Sequence, residues 1–189
     1  MEKIRLDPET SALILIDLQH GIVALETRPH PASAVVAKAA TLAATFRKYS
    51  SPVIYVRVDL ANMLRVPADR SHDDPKNPPP ASASELVPAS GVQAGDLVVT
   101  KSHWSAFSGT DLEERLKRAG VKAVVIGGIT INYGVESTAR AAAGLGLGIV
   151  FVEDATTSIS AEAHRFAFEK IFPMLGRLRK TSEVIEAPA

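Results

Sequence analysis

The 189-residue chain contains no cysteine. Disulfides, thiolate metal sites and a cysteine nucleophile are therefore all excluded. It also lacks net charge, with 21 basic residues against 21 acidic ones. Proteins that neutralise phosphate usually carry a basic excess, so nucleic acid is not an expected partner. No apolar run reaches the roughly 18 residues that span a bilayer, so no membrane partner is expected either. The opening MEKIRLDPET is polar and shows no apolar signal core. The default expectation is a cytoplasmic protein. Internal repeats are absent as well. What remains is an ordinary globular composition, 46% hydrophobic and 22% charged. The length suits a single domain over residues 1–189.

Short β-branched runs alternate with helical patterns. SALILID (11–17), PVIYVRV (52–58), DLVVTK (96–101), VKAVVIGG (121–128) and LGIVFVED (147–154) read as strands. PASAVVAKAATLAATFRKYS (31–50) places apolar residues at 35, 36, 39, 42, 43 and 46, a helical spacing. GTDLEERLKRAG (109–120) follows as a helix, with Thr110 and Glu113 at capping-box spacing and Gly120 as its stop. VESTARAAAGLG (135–146) and SAEAHRFAFEKIF (160–172), the latter capped by Ser160, are further helices. A last short strand is expected near 183–185. This alternation predicts an α/β fold of three layers, a mostly parallel six-stranded sheet with helices on both faces. Residues 59–95 break the rhythm. They hold six of the twelve prolines (Pro67, Pro75, Pro78, Pro79, Pro80 and Pro88). A loop of this length is either a lid, binding loop or subunit contact, or a plain surface excursion.

Open parallel sheets bind ligands beyond the carboxyl ends of their strands. Asp17 ends the first strand, Lys101 ends the third, and the fourth runs into Ile129-Thr130-Ile131-Asn132-Tyr133-Gly134. A carboxyl group after LILI is partly desolvated, and a nearby lysine opposes the resulting rise in pKa. Such a pair suits proton transfer. Equally open at this point are a turn role for Asp17 and a snorkelling role for Lys101. Backbone N–H groups opening the 135–146 helix would suit an oxyanion. Trp104 and Phe107 fit a ring-binding wall or a packed interior, and Tyr133 a hydrogen bond or simple packing. Arg57 fits a carboxylate contact or a surface ion pair. Glu136, Arg140 and Glu153 read as solvated or helix-pairing charges.

The segments ALILIDLQHGI (12–22), VVTKSHWSAFSGTDLEERLKRAGV (98–121), GGITINYGVESTARAAAGLGL (127–147), VEDATTS (152–158) and ISAEAHRFAFEKIFPMLGRLR (159–179) together resemble the isochorismatase-like hydrolase family, also called cysteine hydrolases. They cover most of the chain outside 59–95. The resemblance implies the same parallel sheet, a non-proline cis peptide at Ile129–Thr130, and homo-oligomers that act on small molecules. It also implies a catalytic Asp at Asp17, a catalytic Lys at Lys101 and a nucleophile at Gly134, the register being fixed by Val135 and Thr138-Ala139.

Glycine at the nucleophile position is the decisive departure. Acyl-enzyme chemistry through Gly134 is impossible, and Ser137 lies a helical turn away. The true isochorismatases, which the chain resembles in motif order, cleave a vinyl ether without cysteine. That likeness implies Asp17 as general acid, Lys101 as anchor, Gln19 orienting water or substrate, and Ile129, Thr130, Tyr133, Trp104 and Phe107 around the substrate. The wording TKSHWSAFSGTDLE and YGVESTAR is closer to a bacterial group that also carries glycine here. Members of the nicotinamidase branch bind a metal through an Asp and two His after the second strand. Here Asp59 is followed only by His72, while His20, His30, His103 and His164 form no i, i+4 pair. No catalytic metal and no cofactor are expected. The expected function is a metal-free hydrolase of a small molecule, acting on vinyl-ether, C–O or C–N bonds. Its alternative is a binding or assembly protein that keeps the fold and has lost the chemistry.

Overall fold

The computed structural model describes residues 4–70 and 76–187. Its elements are β1 (Ser11–Ile16), α1 (His20–Val23), α2 (Ala32–Lys48), β2 (Val53–Val58), β3 (Leu97–Lys101), α3 (Leu112–Arg118), β4 (Ala123–Ile129), α4 (Glu136–Gly144), β5 (Gly148–Thr157), α5 (Ala161–Phe166), α6 (Phe172–Leu175), β6 (Arg177–Arg179) and α7 (Thr181–Ile185). All six strands are parallel and lie in the order β3-β2-β1-β4-β5-β6. The expected α/β fold with helices on both faces is therefore present. Among the described residues, no helix is long and apolar enough to cross a membrane.

Side chains alternate across the sheet and seed two cores. Leu13 and Leu15 of β1 join Val35, Leu42 and Phe46 of α2 on one face. Ile14 and Ile16 join Leu112 and Leu116 of α3 and Phe172 of α6 on the other. Every residue of β1 is buried, as a central parallel strand covered on both sides requires. The chain builds outward from β1 to β3, then crosses back and builds from β4 to β6. Strand order thus reverses between β1 and β4, and a crevice opens at their carboxyl ends. The two strands approach closely there. A Cβ at Gly128 (φ +129°) would lie 2.2 Å from the Ile16 carbonyl oxygen.

Three local readings need correction. The C-terminal strand is β6, at 177–179, and 183–185 is helical. The helix start is fixed by Asp154, whose Oδ1 accepts from both Thr181 N (2.7 Å) and Thr181 Oγ1 (2.8 Å), and by Glu183, which accepts from Lys180 N (2.8 Å). Thr110 forms no capping box, because its hydroxyl donates to the Ala106 carbonyl (2.5 Å) and Glu113 pairs with Lys117 instead. The 160–172 helix runs on to Leu175 through one wide turn at 167–171. Ser160 does cap it, accepting from Ala163 N at 3.2 Å, and Gly120 (φ +68°) does end α3.

The proline-rich stretch is tied to the sheet. Leu86 bridges Gln19, and Tyr55 Oη donates to Ser90 O (2.7 Å). Leu60, Met63, Asn77 and Pro79 then face the crevice.

Candidate active site

Asp17 leaves β1 with φ 54°, its amide bonded to Val56 O at 2.8 Å. The turn carries the carboxyl group over the strand ends, where it is 5% exposed. Lys101, the last residue of β3, is 3% exposed. Two strand spacings of roughly 4.8 Å separate β3 from β1, a gap that the lysine and aspartate side chains close from opposite sides. Lys101 Nζ donates to Asp17 Oδ2 at 2.8 Å. Asp17 Oδ1 is buried and has no hydrogen-bond partner among the described residues. Burial pushes the Asp17 pKa up from 3.8 to about 6, against the opposing pull of Lys101.

Gly134 lies in the wide turn Ile131–Val135 between β4 and α4. A Cβ there would sit 2.8 Å from Asp17 Oδ2, 2.9 Å from Ile16 Cγ2 and 3.5 Å from Lys101 Nζ. The ion pair thus occupies the space that a side chain at this position would need. Of the backbone donors expected for an oxyanion, the amide of Val135 bonds to Thr130 O (3.3 Å) and that of Glu136 to Ile131 O within this turn. The Ile129–Thr130 peptide is cis.

The crevice forms a cavity of about 530 Å³, within the range of small-molecule sites. Asp17, Thr130, Tyr133 and Trp104 line it, with Ile22, Leu25 and Ile159 among its apolar walls. The rings of Trp104 and Tyr133 meet edge-on, 5.2 Å between centroids.

Other residues expected here have different tasks. Gln19 is 0% exposed, and its amide is consumed by backbone: Nε2 donates to Val58 O (2.9 Å) and Ala83 O (3.2 Å), and Oε1 accepts from Val58 N (2.7 Å). It clamps the proline-rich stretch to β2 and has no donor left to orient water. Phe107 packs on α3 and lines a separate cavity of about 380 Å³ with Leu116 and Val121. Ile129 is in the core and does not line the cavity. Arg57 Nε donates to Thr100 Oγ1 (3.0 Å) on β3.

Asp59 accepts from Asn62 N and Nδ2, and His72 lies outside the described residues. Glu136 pairs with Arg140 as expected. Glu153 does not behave as a solvated charge, because it meets His30 at 3.0 Å, beside His164. Three residues so far apart in the chain carried no sequence signal.

The sequence model of the isochorismatase domain matches residues 11–183. Two curated relatives are each 40% identical to this chain. They are the uncharacterised isochorismatase family protein YecD of Escherichia coli O157:H7 (97% of this chain, 99% of YecD) and its counterpart YwoC of Bacillus subtilis (98% of each chain). The solved structure of an isochorismatase family protein from Burkholderia thailandensis is 43% identical, with a TM-score of 0.90 over 98% of each chain. A parallel sheet with its crevice at the β1–β4 reversal, together with these matches, establishes that the chain belongs to the isochorismatase family of hydrolases.

Proposed function

We propose that this hydrolase acts on a small molecule by acid catalysis from Asp17, with no covalent intermediate and no catalytic metal. The observation that carries this reading is the volume at Gly134. Carboxylate and ammonium fill the place where a nucleophilic side chain would stand, so the proton donor itself sits at the reacting centre. Lys101 holds Oδ2 beside Gly134, and the buried Oδ1 has no partner to hold negative charge, which favours the protonated acid. A pKa near 6 keeps an appreciable acid fraction close to neutral pH.

For a vinyl ether, Asp17 gives its proton to the alkenyl carbon and an oxocarbenium ion forms. Lys101 stabilises the carboxylate left behind, an ion pair strengthened by the dry surroundings. Water adds to the cation, returns a proton to Asp17, and the hemiketal collapses to a carbonyl compound and an alcohol. Related C–O or C–N bonds that break after protonation fall within the same proposal. Trp104 and Tyr133 would hold a flat or cyclic substrate against Thr130. Homo-oligomers are part of this reading and are checked by light scattering.

The test is a panel of vinyl ethers, isochorismate included, and small amides, assayed with the natural chain and with Asp17→Asn. Turnover of a vinyl ether that collapses in Asp17→Asn, with no enzyme adduct by intact-mass measurement, is the expected result. Turnover that survives the substitution would refute the acid role. Tight ligand binding without turnover, unchanged in Asp17→Asn, would make the chain a binding protein on a hydrolase fold.

A further inference from the structure

We propose that His30, Glu153 and His164 form a binding site for a divalent metal ion of the zinc class, separate from the Asp17–Lys101 centre. One donor atom from each residue lies within 4.8 Å of the others. His30 Nε2 and Glu153 Oε1 are 3.0 Å apart, although 123 positions separate them in the chain. None of the three lines the cavity that holds Asp17.

The cluster is built by irregular backbone. Pairing of β4 with β5 jumps from Ile126–Phe151 to Gly128–Thr156, and Glu153 lies in the displaced stretch. The His30 carbonyl is gripped by the hydroxyls of Thr27 (2.9 Å) and Thr157 (2.7 Å). One residue pair away, Arg28 and Ser158 bond through both amides. His30 is therefore fixed against β5 before any ligand arrives.

His164 supplies the observation that points to an ion. The residue is 4% exposed, and Nε2 is buried with no hydrogen-bond partner among the described residues. An orphaned buried acceptor is costly, and an ion or its bound water would satisfy it.

Two imidazoles and one carboxylate suit zinc and similar ions, with a fourth position left to water. Calcium and magnesium need more oxygen donors than this cluster offers. Bound metal would join the segment carrying Leu25 to the segment carrying Ile159, both of which wall the substrate cavity. The role assigned is a clamp on the cavity rim, with no part in proton transfer.

The experiment titrates zinc chloride into the full chain after chelator treatment, followed by calorimetry, with cobalt(II) absorption as a geometric probe. One ion per chain, intense four-coordinate cobalt bands, and binding weakened at least about tenfold in His30→Gln and in Glu153→Gln are expected. Both substituted residues are half-buried, and circular dichroism checks that each variant folds. Asp17→Asn should bind zinc as the natural chain does, so the result is independent of the catalytic proposal. Equal zinc affinity in the natural chain and both variants, or no binding by any of them, would overturn the site.

Discussion

The acid role of Asp17 predicts the shape of a pH profile. An acid with a pKa of about 6 is nearly all protonated at pH 5. It is protonated to only about one part in a hundred at pH 8. The value of kcat/KM should therefore fall by about two orders of magnitude between these limits, at about tenfold per unit on its steep limb. Lys101 sharpens the test because it pulls the Asp17 pKa down against burial. Removing that cation in Lys101→Met should move the descending limb to higher pH, whatever the loss in absolute rate. The assay is initial-rate kinetics from pH 4.5 to 9 on a vinyl-ether substrate, with fold checked by circular dichroism at each end. A profile that rises through pH 6 would make Asp17 a general base. A flat profile, or a limb unmoved by Lys101→Met, would separate the reaction from this carboxyl group.

The same shift has a consequence for stability. A carboxyl group with a folded pKa of about 6 and an ordinary value of 3.8 binds its proton more strongly in the folded chain. Asp17 therefore favours folding below about pH 4, and this contribution is lost as pH rises to about 6, by roughly 3 kcal/mol. Urea denaturation should show it as a fall across that window that is absent in Asp17→Asn. Gly134→Cys should gain no amidase activity and should lose about 1–3 kcal/mol of stability, because its Cβ collides with Asp17 Oδ2 and Ile16 Cγ2. Amidase activity in a variant of undiminished stability would show that the ion pair yields the space freely. Gln19→Leu leaves the N–H and C=O of Val58 buried without their amide partner, at about 1–3 kcal/mol each. A melting temperature unchanged within about a degree would refute the clamp. Ser160→Ala should cost about 1 kcal/mol as a lost helix cap, read as a drop of about 2–4 °C.

The legible parts of this molecule are those encoded by neighbours in the chain. Continuous buried apolar runs mark β1, β2 and β4, and the strand-end rule turns Asp17 and Lys101 into a pair, although nothing local says that a lysine can reach across β2. The backbone partners of Gln19 lie 39 and 64 residues away, and one residue's amide cannot be assigned to backbone or to substrate without them. Phe107 follows Trp104 closely in sequence, yet the turn after β3 sends the two side chains into different cavities. β6 has only three residues, too few for a periodic signal, and Asp154 starts the helix after it from across the sheet. The His30, Glu153 and His164 cluster depends on a register jump inside β5, which no pattern of residue types announces.

Vinyl-ether turnover in heavy water tests the central claim most directly. Protonation at carbon by Asp17, exchanged with solvent, places one deuterium in the carbonyl product. Asp17→Asn should slow this labelled turnover by about 10²–10⁴-fold. Product formed at an undiminished rate by Asp17→Asn, or product without carbon-bound deuterium, would contradict it.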